Sequence, residues 1–458
     1  MATYPYSPLD LNEPSIRLLH IRKGWWAEDI ICQLCEAFAD QERGVPYRAL
    51  SYNWGVLQHK HEAGIPRVIV DGHEIGLTQN LYAALRYIRR PDQDVILWVD
   101  AVCINQGDPR EKGHQVKQMG NIYKGAEEVL IWLGSGDHDI YSLLESISWI
   151  DKKATESVAM GDKGDWTGFC RQFISHRGLN VGSGPKQALA RLLTRPWFKR
   201  VWILQEVANA RTARILCGPS SCPARSFALM PSLMNLAVDQ HTQAVLDIMP
   251  RVRRQTWWSS DRQLHVLLNK FAGSEALLKR DMIYALLGVS EDACNPATFY
   301  PCYEKTNYEV FRDTMSSLLF GEILGSIIPR GLQIPRLPNS RAPNIDLIDL
   351  RSPRSLMAVA FLSYHISEGW LDAAGLLLYL TPRYLRDEQI SRMLRNKKVD
   401  ITVGFDTGSD RFVFTITGGS VWRPDAIPVG HRAEIRISPS EPSAETPTTV
   451  SDATVPVV

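Results

Sequence analysis

The sequence predicts a doubly wound α/β domain, on three observations. Short apolar runs of strand length alternate with amphipathic helical stretches, each run closes on a turn or capping residue, and the connections are short. Tyr47–Tyr52 is the first run, closed by Asn53-Trp54-Gly55. Val68–Val70, followed by Asp71-Gly72, reads as one arm of a hairpin. Leu77–Arg89 places Leu81, Leu85 and Ile88 on one helical face. Val95–Val99 is almost continuously apolar, as a parallel strand covered on both faces requires, and it ends at Asp100. Glu111–Lys124 is a second helix with Val116, Met119 and Tyr123 inward. Val129–Leu133 is another buried strand, closed by Gly134. From Asp137 to about Gly184 runs a polar insertion rich in Gly, Asp and Lys, and Trp197–Ala210 reads as a third helix.

The α/β pattern bounds a domain over 47–218. Residues 1–46 form a leading segment packing on it. Ile16–Ile21 has strand character, Gly24-Trp25-Trp26 breaks it, and Ile30–Phe38 fits both strand alternation and helical spacing. Residues 219–330 read as helical, most clearly in Gln263–Phe271, Asp281–Leu287 and Tyr308–Phe320. The region 331–436 starts with a linker rich in Pro, Arg and Asn (331–355), and weak alternation over 400–436 suggests a small sheet. The Ser/Thr/Pro/Glu-rich tail, 437–458, is expected to be disordered.

Composition removes several function classes. The 51 Lys and Arg balance 50 Asp and Glu, leaving a formal charge of +1. That argues against a nucleic-acid or anionic-membrane surface. The longest apolar runs fall far short of the ~20 residues of a membrane span, and Met1-Ala-Thr-Tyr-Pro-Tyr lacks the basic start and apolar core of a secretory signal. The eight cysteines are read as reduced thiols, and a cytoplasmic location is expected. Cys32-x-x-Cys35 has no second pair, and Cys217…Cys222 has the wrong gap for zinc. Gly182–Lys186 lacks phosphate-loop spacing, and no G-x-G-x-x-G follows a strand. No metal and no resident cofactor is therefore expected. Cys103, His114 and Asp100 caricature a cysteine nucleophile with its base, but no spacing aligns them. His59-Lys-His61 reads as a solvated loop.

Several motifs together are specific. Tyr47-Arg-Ala-Leu-Ser-Tyr-Asn-Trp-Gly55, Leu77-Thr-Gln-Asn-Leu81, Leu97-Trp-Val-Asp-Ala-Val-Cys-Ile-Asn-Gln106, Ile131-Trp-Leu-Gly134 and Arg195-Pro-Trp-Phe-Lys-Arg-Val-Trp-Ile-Leu-Gln-Glu206 occur in this order. The series resembles the HET domain of filamentous fungi, the heterokaryon-incompatibility family. Asp281-Met-Ile-Tyr-Ala-Leu-Leu-Gly288 is similar to the segment that usually follows that domain. The resemblance implies an effector of self/non-self recognition that arrests growth or kills fused cells. Partners would be further copies of the chain or another incompatibility or death-pathway protein. It also implies a distant kinship with Toll/interleukin-1 receptor (TIR) domains, hence a mostly parallel, TIR/flavodoxin-like sheet. Some TIR domains cleave NAD and others only oligomerise. Trp202-Ile-Leu-Gln-Glu206 is similar to the TIR helix motif in which a tryptophan precedes the catalytic glutamate by four.

Cleaving the nicotinamide–ribose bond needs one carboxylate, since the leaving group is already cationic and the ribose acquires positive charge. Glu206 fits, because a helix puts it on a largely apolar stripe with Trp202, Ile203 and Ala210, where burial raises a carboxyl pKa. Doubly wound sheets bind ligands at the carboxyl ends of their strands. Ser51, Tyr52 and Trp54 lie at one such end and Asp100 at another, with Asn105, Gln106 and Asp108 in the loop after it. Trp54 or Trp202 would stack on a flat ring. NAD enters as substrate, not cofactor. The bland alternatives are equally concrete. Glu206 pairs with Lys199, Arg200 or Arg211, Asp100 caps a turn, and Trp98, Trp132 and Trp202 fill the core. The rival functions are a non-catalytic oligomerising module, or a HET protein recruited to another pathway such as secondary metabolism.

Overall fold

The computed structural model describes residues 4–39, 43–54, 65–161, 165–179, 183–292, 300–305, 310 and 314, with strand segments between 400 and 456. Two compact units emerge, one of residues 1–263 with 270–304, the other of 264–269 with 305–458.

The first unit is built on a nine-stranded mixed sheet. Its strands are β1 (Ser15–Ile21), β2 (Ile31–Phe38), β3 (Arg48–Tyr52), β4 (Arg67–Val70), β5 (His73–Gly76), β6 (Val95–Trp98), β7 (Val129–Trp132), β8 (Ala213–Cys217) and β9 (Ser220–Pro223). They lie in the order β5-β4-β2-β1-β6-β3-β7-β8-β9. The centre, β6-β3-β7-β8, is parallel throughout. β1 runs antiparallel to β6, and β8 to β9. The mostly parallel sheet that was expected is thus a parallel core with antiparallel additions. The leading segment supplies β1 and β2, which join the same sheet. Ile31–Phe38, ambiguous by spacing, is a strand because β1 pairs along its whole length. The turn between β4 and β5 sits in the left-handed region at Asp71 (φ 48°) and Gly72 (φ 79°), as a two-residue hairpin requires.

The helices follow from their caps. Thr78 accepts the Leu81 N–H to open α1 (Gln79–Ile88), whose buried face is Leu81, Ala84, Leu85 and Ile88. After β6 comes the single turn α2 (Asp100–Cys103). Asp108 then accepts from Arg110 and Glu111, with Pro109 at the first position of α3 (Pro109–Gly125).

The polar insertion holds two helices, α4 (His138–Ala159) and α5 (Trp166–His176), and a third, α6 (Gly184–Leu193), begins where it ends. Ile140, Leu143, Leu144, Ile147, Ile150 and Ala154 bury one stripe of α4, a helical period that the Gly/Asp/Lys composition concealed. The third helix is also corrected. A 3₁₀ turn, Pro196–Lys199, ends at an extended Arg200 (φ −64°, ψ 129°), and α7 (Ile203–Ala208) begins afresh. The break is fixed from outside, by backbone hydrogen bonds from Glu275 N–H to the Lys199 carbonyl and from Val201 N–H to the Glu275 carbonyl. Beyond β9 stand α8 (Ala224–Leu233), α9 (Gln240–Asp247), α10 (Leu264–Lys270) and α11 (Asp281–Leu287).

In the second unit, β10 (Asp400–Asp406) and β11 (Arg411–Thr417) are antiparallel, β12 (Arg432–Ile437) is parallel to β11, and β13 (Thr454–Pro456) pairs with β12. The small sheet suggested by alternation is present, and the tail contributes one of its strands. The linker at 331–355, the His59-Lys-His61 loop and most of Tyr308–Phe320 lie outside the described residues. Among the described residues no helix is long and apolar enough to cross a membrane.

The leading segment is fastened to the parallel core by a buried ion pair. Arg17 of β1 donates to both carboxylate oxygens of Glu111 at 2.6 and 2.9 Å, and also to the Cys103 and Ser7 carbonyls. The two side chains are 6% and 3% exposed. Removing one partner strands a desolvated charge, so Arg17→Leu is expected to destabilise the fold by about 3–5 kcal/mol. Urea denaturation of the variant beside the wild type checks this.

Candidate functional site

The carboxyl ends of β3 and β6 and the start of α7 converge on one cluster. Glu206 is 1% exposed. It sits in the middle of a six-residue helix that directly follows the extended Arg200. That break lets Arg200 turn back over the end of β3, where it donates to the Tyr52 carbonyl and places Nη1 3.8 Å from Glu206 Oε1. Arg200 is thus the partner anticipated among the alternatives. Lys199 instead pairs with Glu275 at the surface, at 3.4 Å. The arginine does not satisfy the glutamate. At 3.8 Å the contact is an ion pair without a good hydrogen bond, and Glu206 Oε2 has no hydrogen-bond partner in the protein.

Ser51, fully buried, accepts the Trp197 indole N–H at 2.8 Å. Its own proton is therefore free to point at Glu206, whose charged form it favours. Asp100 accepts from the Trp54 indole at 2.8 Å and from its neighbour Ala101 N–H at 2.7 Å. The Tyr52 hydroxyl adds a third donor to it, and burial with that contact holds Tyr52 well above the ordinary phenol range. Tyr123 stands nearby, its hydroxyl donating to the Leu50 carbonyl at 3.1 Å. Burial of Glu206, opposed by Arg200 and reinforced by Asp100, pushes its pKa up to about 7. Burial raises Asp100 as well, against Arg200 and the Trp54 and Ala101 donors. Two carboxyls and one guanidinium at the ends of parallel strands can hold a sugar and respond to developing positive charge.

Of the residues singled out in the sequence, Ser51, Tyr52 and Asp100 therefore interact with Glu206, while Trp54 and Gln106 reach Asp100, Gln106 through its side-chain amide on the Asp100 carbonyl at 3.0 Å. Asn105 is committed to its own loop, its side chain accepting from Gly107 and its N–H donating to Glu111. Asp108 is the cap of α3. The Trp202 indole donates to Asp281 at 3.3 Å, not to the cluster. Trp197 and Tyr123 join the cluster without being legible as site residues: Tyr123 reads as the inward face of α3, and Trp197 as part of a helix. Cys103 is buried with its thiol pushed up to about 12, while His114 Nε2 lies 3.0 Å from the Glu13 carbonyl. Among the described residues no three His, Cys, Asp or Glu side chains gather as a metal site.

This cluster lies within a known domain boundary. The sequence model of the family described as heterokaryon incompatibility protein (HET) matches residues 47–206, from the start of β3 to Glu206 itself. The chain carries a HET domain. Heterokaryon incompatibility protein 6, OR allele, of Neurospora crassa is 25% identical over 341 residues, which is 63% of this chain and 50% of that protein. The chain thus spans about half the length of this curated relative. No solved structure matches it.

The raised pKa gives the HET domain a pH signature. Glu206 is held near 7 when folded, against an ordinary 4.5 when exposed. Between these values the native state keeps a proton that the unfolded chain has lost, so stability falls as pH rises through the window. The loss amounts to roughly 3 kcal/mol. Glu206→Gln is expected to flatten unfolding free energy over that window, as denaturant titrations at a series of pH values would show.

Proposed function

We propose that the chain acts in fungal heterokaryon incompatibility and that its HET domain hydrolyses the nicotinamide–ribose bond of NAD at Glu206. The observation carrying this reading is a carboxyl oxygen that is buried yet unpartnered at the carboxyl edge of the parallel core. Structural buried carboxylates are normally saturated with donors, as Glu111 is by Arg17 and Asn105. A carboxyl left half-satisfied and titrating near neutrality is the pattern of a functional group. The strand order supports the same location. Within the parallel core the chain visits β3, then β6 on one side, then β7 and β8 on the other. That is the flavodoxin-like order, whose ligands lie where the direction of winding reverses, outside the end of the first strand. Ser51 and Tyr52 end that strand.

In the reaction the bond from ribose C1′ to the nicotinamide nitrogen breaks, its electron pair leaving with neutral nicotinamide. The ionised Glu206 stabilises the oxocarbenium-like ribose. Water adds at C1′ and gives up a proton, leaving ADP-ribose, nicotinamide and one proton in all. Ser51 and Asp100 accept or orient ribose hydroxyls. Trp54, 39% exposed, is the aromatic surface available to a flat ring. A substrate reaches Glu206 past Trp54 and Arg200, the more exposed members of the cluster. A second reading, an oligomerising module, draws support from the near-complete burial of Glu206 and from Trp25 and Trp26, which are 69% and 54% exposed.

The test is nicotinamide release from NAD by the purified full chain at high concentration. Glu206→Gln is expected to lower it by about 10²–10³-fold. Because the ionised carboxylate is the working form, kcat/KM is expected to rise as pH increases through about 7. No release from a folded wild type, together with concentration-dependent assembly that survives Glu206→Ala, would establish the module instead.

A further inference from the structure

The helix that carries Glu206 cannot support itself. α7 has six residues, and its N-cap, Trp202, provides no side-chain cap. Isolated helices below about 12–15 residues are marginal in water. α7 packs on α3 within the matched region, and further support comes from the chain after it. Trp202 Nε1 donates to Asp281 Oδ2 at 3.3 Å, and Tyr303 donates to Asp281 Oδ1 at 3.0 Å. Asp281 is 7% exposed, so both oxygens of a buried carboxylate are fixed. Three residues on from Trp202, Gln205 donates to the Tyr284 carbonyl at 3.0 Å. Gly288, the C-cap of α11, lies directly under that amide: a Cβ there would stand 2.6 Å from it, and the Gln205 side chain would have to move. At the other end Arg253 donates to the carbonyl of Ala208, the last residue of α7, at 2.6 Å, and to that of Ala210 just beyond it at 3.0 Å.

We propose that Asp281 is a positioning residue for Glu206, acting through Trp202, so that the segment 281–288 completes the site of the HET domain. The path is short. The Trp202 carbonyl accepts the Glu206 N–H at 3.3 Å, so the residue anchored by Asp281 is the one from which the Glu206 backbone hangs. Releasing the indole lets the first turn of α7 shift, and a carboxylate displaced by about 1 Å loses up to 10²-fold in a reaction that depends on its placement. The inference rests on the reading of Glu206 as the reacting carboxylate. Lys112 and Arg280 are the charged groups that face Asp281, and neither is in the Glu206 cluster.

Trp202→Phe removes the indole donor while keeping an aromatic ring, although a smaller one, Asp281→Ala removes the acceptor, and Asp281→Asn keeps an acceptor oxygen. In the full-length protein the first two are expected to lower kcat for NAD cleavage about 10–100-fold, with KM changed less than about threefold and Asp281→Asn recovering most of the loss. The pH midpoint assigned to Glu206 shifts in the same two variants. Unchanged kcat and midpoint in a variant whose melting temperature has fallen would mean a merely structural contact and overturn the proposal. If Asp281→Ala does not fold, Trp202→Phe decides. If the wild type cleaves no NAD, the Glu206 reading fails on its own. The positioning claim is then judged by the pH dependence of unfolding referenced to Glu206→Gln: a midpoint shifted in Trp202→Phe upholds it, and an unmoved one overturns it.

Discussion

A carboxylate taken out of water with a guanidinium 3.8 Å away and one serine hydroxyl to answer it costs free energy, and the arrangement around Glu206 is organised by that cost. Arg200 approaches to 3.8 Å and divides its donors with the Tyr52 carbonyl. Asp100 adds a second negative charge nearby, against the interest of stability. The rest of the domain supplies what the cluster withholds. The parallel core and the helices over it bury the large side chains Trp98, Trp132, Trp197, Tyr52 and Tyr123, and the Arg17–Glu111 pair ties the leading strands to α3. A domain with this much apolar burial can carry one poorly satisfied carboxyl without unfolding.

The contrast between the two buried glutamates makes the point in chemical terms. Glu111 receives both arms of Arg17 and a backbone N–H, and its role is complete within the fold. Glu206 receives a long contact from Arg200 and the Ser51 hydroxyl, and its Oε2 is left without a partner. Both are buried within the same unit, so burial alone does not distinguish them. Donor geometry does. The same geometry explains why the site extends past residue 206, where the family match ends. A six-residue helix positions nothing unless something grips it, and its grips are Arg253, Asp281 and Tyr284.

Much of the fold is legible in the sequence because its signals are local. The buried parallel strands read as continuous apolar runs, the Asp71-Gly72 hairpin reads from its turn residues, and α1 and α3 read from one-sided stripes that begin at Thr78 and Asp108. The misreadings are local too. Gly, Asp and Lys between the insertion's helices disguised two regular helices, and the short alternation of Ala213–Cys217 hid β8. Among site residues, strand ends mark Ser51, Tyr52, Trp54 and Asp100, and the resemblance to the TIR helix motif marks Glu206. It did not show that Trp197 holds Ser51, since the partner of the indole N–H lies 146 residues away in the chain.

The sequence by itself determined the alternation of strands and helices, the strand ends at which polar residues collect, and the four-residue spacing of Trp202 and Glu206. Periodicity and turn chemistry act within a few residues and survive in any context. Tertiary structure decided the rest. It added antiparallel strands to both sides of the parallel core, interrupted the expected helix at Arg200 by pairing Lys199 and Val201 with Glu275, and turned Trp202 to Asp281 and away from the cluster. Each of these depends on which distant backbone or side-chain group reaches an unsatisfied donor or acceptor first. That competition is settled only when the whole chain has packed.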